Sequence, residues 1–392
     1  MLDTACGIQK EAEPWIPPLR DPAFCCNSPD RVLVGRNRVW YDFRKLTGLF
    51  KVGFFEKKTK MRGVSSTTKD SRMFLDQFNT HFKRIDEALG RVLSSQVPLI
   101  DSIGNHSLLG EGKRLRPLLF LLSCQLCDYR GEDPYDFAAI FEYIHTASLL
   151  HDDVIDDGHI RRKKPSVNHI WGNSAAVLSG DFLYSKSFAV AVGSGNLEFL
   201  RLLTDTTTRM AEGQVLELVH THNWNITKEE YTEIIAAKTA VLISAACACG
   251  AIISGAEKQA VDHLARFGFN MGMAFQLVDD LLDYTSSTEE FGKPVGKDLR
   301  EGRITLPLIY TLSHLEEAEV ERLENLFKNR KAHEKDYEAL LTRVRDNEVA
   351  NRIRSEAKVY VEKANEVLDF FPESPVKRDL VGLNTYIIHR SF

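Results

Sequence analysis

What this sequence lacks narrows its function before any motif is read. No GxxxxGK[ST] segment occurs, which excludes a P-loop cradle for nucleotide phosphates. Convincing alternating apolar–polar runs are absent, so no sheet-based fold is expected. Charge of one sign is scarce: the formal net charge is −5 and only local basic runs exist. A nucleic-acid binder needs a concentrated basic face, so no nucleic-acid partner is expected. The seven cysteines, Cys6, Cys25, Cys26, Cys124, Cys127, Cys247 and Cys249, form no even framework. They read as reduced thiols, so the cytoplasm is the expected location, with the mitochondrial matrix the alternative for a eukaryotic source. Cys124 and Cys127 form a CxxC inside an apolar run with no second Cys or His pair nearby, which favours core cysteines over a metal or redox site. The start, Met1-Leu2-Asp3-Thr4, lacks the basic-then-apolar pattern of a secretory signal. Only Thr239 to Ala256 has the length of a membrane span. It is rich in Ala, Cys, Ser and Gly and abuts Lys238, so it reads as a buried bundle helix and no stable membrane span is expected.

Two regions differ in composition. Residues 1–68 hold Pro14, Pro17, Pro18 and Pro22, and from Arg31 to Arg62 ten Lys or Arg stand against Asp42 and Glu56. This N-terminal extension is expected to be poorly ordered; a docking or targeting tail, or coding sequence upstream of Met61, are the alternatives. From about Ser71 the helical signals are nearly continuous. Phe74, Phe78, Phe82, Ile85 and Leu89 recur at spacings of three and four. Similar patterns run through 135–157, 175–192, 197–219, 228–254, 258–284, 303–314, 317–328 and 335–368. Residues 69–392 therefore read as one all-α domain of roughly 320 residues, large for a single core.

The sharpest feature is Asp152-Asp153-Val154-Ile155-Asp156-Asp157, which ends an apolar run. On a helix Asp152 and Asp156 share a face, where like charges repel. Alone, such a run is equally well a solvated acidic tip. The pattern recurs at Asp279-Asp280-Leu281-Leu282-Asp283, after another apolar segment. Two carboxylate pairs of this kind suit a divalent cation. Magnesium takes oxygen ligands and usually binds one or two carboxylates plus substrate phosphates. Zinc fits less well, since no His or Cys adjoins either motif apart from His151 at the edge of the first. Cations gather near both motifs: Gly112-Lys113-Arg114-Leu115-Arg116-Pro117, then Arg161-Arg162-Lys163-Lys164, then Lys293 and Lys297. Each run alone is usually a solvated face; together they point to anionic, phosphate-bearing substrates.

At this point the chain resembles the trans-polyprenyl diphosphate synthases, especially the long-chain octaprenyl and solanesyl type. The resemblance runs from about Ser71 to the C-terminus. It rests on the Gly112–Pro117 run, the first acidic motif with Arg161-Arg162, Gly180-Asp181, Gly213-Gln214, Lys238-Thr239, Phe275-Gln276-Leu277-Val278-Asp279-Asp280, Gly292-Lys293-Pro294 and Gly296-Lys297-Asp298. It implies an isoprenoid-synthase helical bundle around a deep central cavity, and a homodimer. It further implies that Lys113, Arg116 and His145, with Arg162, bind isopentenyl diphosphate. Asp152, Asp156 and Asp279 would hold Mg²⁺ on the allylic diphosphate, with Asp153, Asp280 and Asp283 close by. Arg161, Lys238, Thr239, Gln276 and Lys293 would contact the allylic substrate. Asp152, Asp153, Asp156, Lys238, Asp279 and Asp280 form the expected catalytic set.

The growing chain is expected to run along the helix of the first motif, past Ala147 and Ser148, which lie about 6–8 Å below Asp152 at 1.5 Å per residue. Family members that stop at fifteen carbons place bulky aromatics there. The small side chains suggest a product of about 40 to 50 carbons, of the size used for quinone side chains, or else serve only close helix packing. Three rivals stand beside this reading. A class I terpene cyclase would not need the Gly-Lys-Arg run or a second Asp-rich motif. A non-catalytic or partner-dependent subunit of a heteromeric synthase should show eroded acids or cations. A divalent-metal buffer leaves the basic residues unexplained.

Overall fold

Helices account for nearly all of the described residues, 74–108, 112–285, 296–329, 331–345 and 347–389, in this computed structural model. The N-terminal extension 1–68 and Lys293 lie outside them. In chain order the helices are α1 Asn79–Leu93, α2 Pro98–Leu108, α3 Leu115–Leu126, α4 Tyr135–Ile155, α5 Val167–Trp171, α6 Asn173–Gly193 and α7 Leu197–His220. Then come α8 Lys228–Ile235, a π-helical turn Ala236–Ala240, α9 Val241–Ile253, α10 Lys258–Thr285 and α11 Lys297–Arg300. The last are α12 Leu306–Leu312, α13 Glu317–Lys328, α14 Glu334–Val344, α15 Asn347–Leu368 and α16 Pro375–His389. Between α4 and α5 a two-stranded hairpin, β1 Ile160–Arg161 and β2 Lys164–Pro165, pairs antiparallel with Ile160 opposite Pro165.

Local chemistry sets many of these boundaries. The Asn196 side chain accepts from the backbone N–H groups of Glu198 and Phe199, starting α7. Thr227 and Glu230 form a reciprocal capping box at α8. Thr305 is extended and a proline follows in the first turn of α12, so that helix starts later than the apolar pattern from 303 suggests. The expected helix 335–368 is two helices. The break falls after Arg345, whose Nε donates to the Tyr284 carbonyl at 2.9 Å. That bond ties the α14–α15 junction to the end of α10 and satisfies one of its terminal carbonyls. Helices α2, α5 and α16 went unread because their apolar periods are short or interrupted.

The stretch with membrane-span length is a core element: 89% of the apolar window in Lys228–Ile253 is buried inside the protein. Its small residues are explained by close packing. Helix α9 lies between α3 and α10, and a methyl at Gly272 would stand 2.6 Å from the Ala240 Cα. Cys124, Cys247 and Cys249 are buried and Cys127 half-buried, all as free thiols. Burial pushes Cys127 up to about 11 and Cys124 higher still, which leaves them inert. Helix α10, 28 residues long, packs on α9 and α15, while α4 packs on α3 and α6. The two helices that carry the acidic motifs are thus linked through α3 and α9, which pack on each other between them.

Candidate active site

Each acidic motif sits on the last turns of a long, otherwise buried helix. On α4, Asp152 and Asp156 face one way and Asp153 another. On α10, Gln276, Asp279, Asp280 and Asp283 fall at spacings of three and four. These two faces meet across a cavity of about 250 Å³. Its walls include Asp152, Asp156 and Arg161; Glu217 and His220 from α7 and Thr221 just after it; and Tyr231, Lys238 and Thr239 from α8 and the π turn. Gln276, Asp279, Asp280, Asp283, Lys297, Asp298, Arg303 and Thr305 complete the polar lining, with Ile226, Ile234, Ile235 and Ile304 as its apolar part.

The π turn explains how Lys238 and Thr239 reach this space. A π turn adds a residue to the helical repeat and re-aims the side chains beyond it. It is gripped from both sides: a Cβ on Gly213 of α7 would lie 2.7 Å from the Ala237 Cβ, and Gly272 meets Ala240 on the other side. Lys238 Nζ stands 2.5 Å from Glu217 and 3.6 Å from Asp152. Burial pulls the Lys238 ammonium down, but Asp152 and Glu217 outweigh it and the group is raised. Thr239 donates to Gln276 at 2.8 Å, and Gln276 donates to Asp280 at 2.6 Å. Tyr231 donates to the other Asp280 oxygen at 2.6 Å. Asp280 is therefore occupied on both oxygens; burial and the nearby Asp298 raise it well above the usual carboxylate range. Asp283 is pushed up to about 7 by burial and Asp298, against the pull of backbone N–H bonds from Lys297 and Asp298. Asp152 is raised by burial, and Lys238 opposes the rise.

Asp153 does not line this cavity. It receives Arg161 Nε on both oxygens at 2.8 Å, and Asn168 donates to its carbonyl. It anchors the β1–β2 hairpin and with it Arg161. The hairpin's two turn residues, Arg162 and Lys163, both have positive φ, 50° and 62°. That is the type I′ geometry normally filled by Asn-Gly. Holding two long side chains there costs about 1–3 kcal/mol each.

A second cationic group lies on the other side of α4. Arg114, left-handed at φ 46°, is buried and pairs with Glu142 at 2.9 Å and Asp86 at 2.8 Å. It also donates to the Leu108 carbonyl. The middle arginine of the Gly-Lys-Arg run is thus a structural anchor. Lys113 is exposed beside it, 5.8 Å from the Tyr386 ring of α16. Arg116 keeps a buried Nε without a hydrogen-bond partner, and burial lowers its guanidinium to about 10. His145 is held well below the usual histidine range by burial and by Arg116, Arg162, Arg161 and Arg114. A cluster of cations around a neutral imidazole, one guanidinium atom unsatisfied, is suited to an anion. Arg161, Arg162 and Lys164 also line a smaller recess of about 50 Å³ with His106 and Ser107.

Among the described residues no three His, Cys, Asp or Glu side chains converge closely enough to hold a metal ion unaided. The cavity nevertheless fits a hard divalent cation. Its donors are carboxylates, with His220 the sole imidazole, and Asp152, Asp156, Glu217, Asp279, Asp280, Asp283 and Asp298 outnumber Arg161, Lys238, Lys297 and Arg303. Magnesium in such sites draws its remaining ligands from water and phosphate. Ala147 is fully buried in α4, and Ser148 donates to the His145 carbonyl; neither lines the cavity. Sequence reading missed Glu217, Tyr231 and Arg303. Glu217 stands one helical turn after Gly213 and was within reach of that motif. Tyr231 and Arg303 gave no signal, being single residues brought in by the fold.

A helical bundle in which two Asp-rich helix ends face one cavity, with four cations among their carboxylates, is the architecture of a prenyltransferase of the isoprenoid-synthase type. The comparisons agree: residues 97–344 match the polyprenyl synthetase family. The octaprenyl diphosphate synthase of Escherichia coli (strain K12) is 35% identical over 306 residues, 78% of this chain and 94% of that protein. A short chain isoprenyl diphosphate synthase of Methanothermobacter thermautotrophicus is 38% identical over 257 residues, 64% of this chain and 78% of that protein. A polyprenyl synthase from Caulobacter crescentus, solved with calcium and isoprenyl diphosphate, superposes with a TM-score of 0.77 at 33% identity, covering 82% of this chain and 98% of that one. The chain belongs to the polyprenyl synthetase family and is an enzyme of prenyl chain elongation.

Proposed function

We propose that the protein extends an allylic diphosphate, such as farnesyl diphosphate, with isopentenyl diphosphate to an all-trans product of about 40 to 50 carbons, the tail passing the small Ala147 and Ser148 about 6–8 Å below Asp152. The observation that carries the reaction is the convergence of Asp152, Asp156 and Asp279 with Arg161, Lys238 and Arg303 on one cavity. Asp152, Asp156 and Asp279 would hold Mg²⁺, which would supply positive charge to the diphosphate oxygens. Lys238 and Arg161 bind the same diphosphate, so charge developing on the leaving group meets cations already in place, and Lys293, which lies outside the described residues, is assigned to the same substrate. Lys113, Arg116, Arg162 and neutral His145 bind the diphosphate of isopentenyl diphosphate and aim its double bond at the allylic carbon. Breaking the allylic C–O bond leaves a cation; the alkene attacks it, and a proton leaves the new adduct to restore a double bond. The released diphosphate is the proton acceptor. Ile226, Ile234 and Ile235 keep water from the cation.

Intact acids and cations in a single cavity favour a catalytic chain over a non-catalytic subunit, and the second cationic cluster favours two diphosphates over the one a cyclase needs. We place the enzyme in a reducing compartment, the cytoplasm, on its free thiols. The test incubates purified protein with Mg²⁺, farnesyl diphosphate and radiolabelled isopentenyl diphosphate, then sizes the dephosphorylated products. A ladder ending at one long prenol is expected. No incorporation by folded protein would overturn the reading. In the same assay Ala147→Phe is expected to shorten the product. Overpacking there costs about 1–3 kcal/mol, so a melting curve accompanies it; unchanged product length in a folded variant would sink the tail path.

A further inference from the structure

Two histidines meet outside the cavity, just past the first acidic motif. The chain leaves that motif through Asp157, left-handed at φ 49°, whose side chain is 88% exposed. His159 then precedes β1, and His169 lies on α5. Their Nδ1 atoms stand 3.1 Å apart across a sequence separation of 10 residues. The rings are nearly perpendicular, at 82°, with centroids 5.1 Å apart. Both residues are exposed and neither lines the cavity. The backbone beneath them is pinned. Ser166 N–H donates to the His159 carbonyl at 3.0 Å, and Ser166 Oγ to the Gly158 carbonyl at 2.6 Å. Gly158 N–H donates to the Asp153 carbonyl at 2.8 Å, and Asn168, beside His169, donates to the same carbonyl at 2.9 Å. The fold therefore sets where both imidazoles are mounted.

We propose that His159 and His169 form a second metal site, a bis-imidazole clip for a divalent transition ion such as Zn²⁺ or Ni²⁺, separate from the Asp-rich cavity and independent of the elongation reading. Metal–nitrogen bonds of about 2.0–2.1 Å put two nitrogens on one ion about 2.9 Å apart at a right angle and about 3.4 Å apart at the tetrahedral angle. The observed 3.1 Å lies between these limits. Without metal, one Nδ1–H donates to the other Nδ1; the ion takes that proton's place and the proton passes to solvent. Asp157 supplies the supporting group, its carboxylate facing the His159 Nε2 at 3.9 Å. A carboxylate beside the far ring nitrogen is the usual companion of a metal-bound histidine, keeping Nε2 protonated and the Nδ1 lone pair available. Imidazole suits Zn²⁺, Ni²⁺ and Cu²⁺, whereas Mg²⁺ takes oxygen ligands, so the clip and the cavity select different ions. Among the described residues no third His, Cys, Asp or Glu completes a protein cage, so water fills the remaining positions. The bound ion joins the two flanks of the β1–β2 hairpin that carries Arg161 and Arg162.

The test titrates the purified full chain with Ni²⁺ by calorimetry, in excess Mg²⁺ so that the acidic cavity is not the site observed. The parent is expected to bind Ni²⁺ in the micromolar range. His159→Asn and His169→Asn are each expected to weaken this binding at least about tenfold, and Asp157→Asn to weaken it less. Melting curves check that the variants fold, and a second measurement needs no variant. Diethyl pyrocarbonate modifies accessible histidines, and peptide mass spectrometry of the parent should show Ni²⁺ protecting His159 and His169 but not the exposed His314. Ni²⁺ affinity unchanged by both histidine substitutions would reduce the pair to an ordinary surface hydrogen bond and overturn the proposal. Equal protection of His314, or binding only at millimolar Ni²⁺, would overturn it as well.

Discussion

His145 shows how neighbours choose a side chain's chemical state. It sits among Arg116, Arg162, Arg161 and Arg114, and burial adds to their effect in keeping it neutral. A neutral imidazole can donate to a diphosphate oxygen without adding another charge to a crowded cationic cluster. This carries a pH signature. The folded-state value lies below the unfolded value of 6.5, so the unfolded chain binds more protons under that pH and stability falls as pH drops through this range. Thermal melts from pH 7.5 down to 5 are expected to show a smaller decline for His145→Asn than for the parent. Parallel curves would mean that His145 is not held neutral. The same crowding explains what sequence could and could not supply at this scale. Lys113, Arg116 and His145 were legible because runs and family pattern mark them. That Arg114, between the first two, turns inward to Glu142 and Asp86 was not, because its direction depends on a left-handed backbone and on partners 28 residues away on either side.

At the scale of elements, the site depends on how closely helices approach. The sequence shows α7, α8 and α10 well, since each has a sustained period. It does not show the π turn between α8 and α9, because one added residue leaves the apolar pattern of a helix buried on all sides unchanged. Yet that turn aims Lys238 at Asp152 and Glu217, and Gly213 and Gly272 make room for it. Gly272→Ala adds a methyl where the Ala240 Cα stands only 2.6 Å away. Forcing the helices apart is expected to cost about 1–3 kcal/mol of stability. Activity should fall further than stability alone explains, with a raised KM for the allylic substrate and a smaller change for isopentenyl diphosphate, whose candidate ligands lie on or just before α3, on α4 and in the β1–β2 turn. Equal changes in both KM values would break the link between the π turn and the allylic half of the site.

At the scale of the whole molecule, one surface is more apolar than a solvated helix needs. Leu178 and Val192 on α6 are 67% and 62% exposed; Val215, Leu218 and Val219 on α7 are 59%, 62% and 68% exposed. The α7 residues fall at i, i+3 and i+4, so they form one stripe, and α6 packs beside α7. Contiguous exposed stripes of this kind mark association surfaces, and the two helices are long enough to furnish the roughly 1,200–2,000 Å² of a standard interface. We therefore expect a homodimer joined through α6 and α7. Such a dimer would couple assembly to chemistry, since the opposite side of α7 presents Glu217 and His220, with Thr221 just beyond its end, to the cavity. A partner pressed on the outer stripe would hold Glu217 in register with Lys238. Replacing Leu218 and Val219 together by Glu puts two charges into that interface and should shift sedimentation from dimer to monomer. Elongation should weaken at the same time, because α7 loses its outer support. A double variant that remains dimeric would move the interface elsewhere; a monomeric variant with full activity would show that each subunit builds its cavity alone.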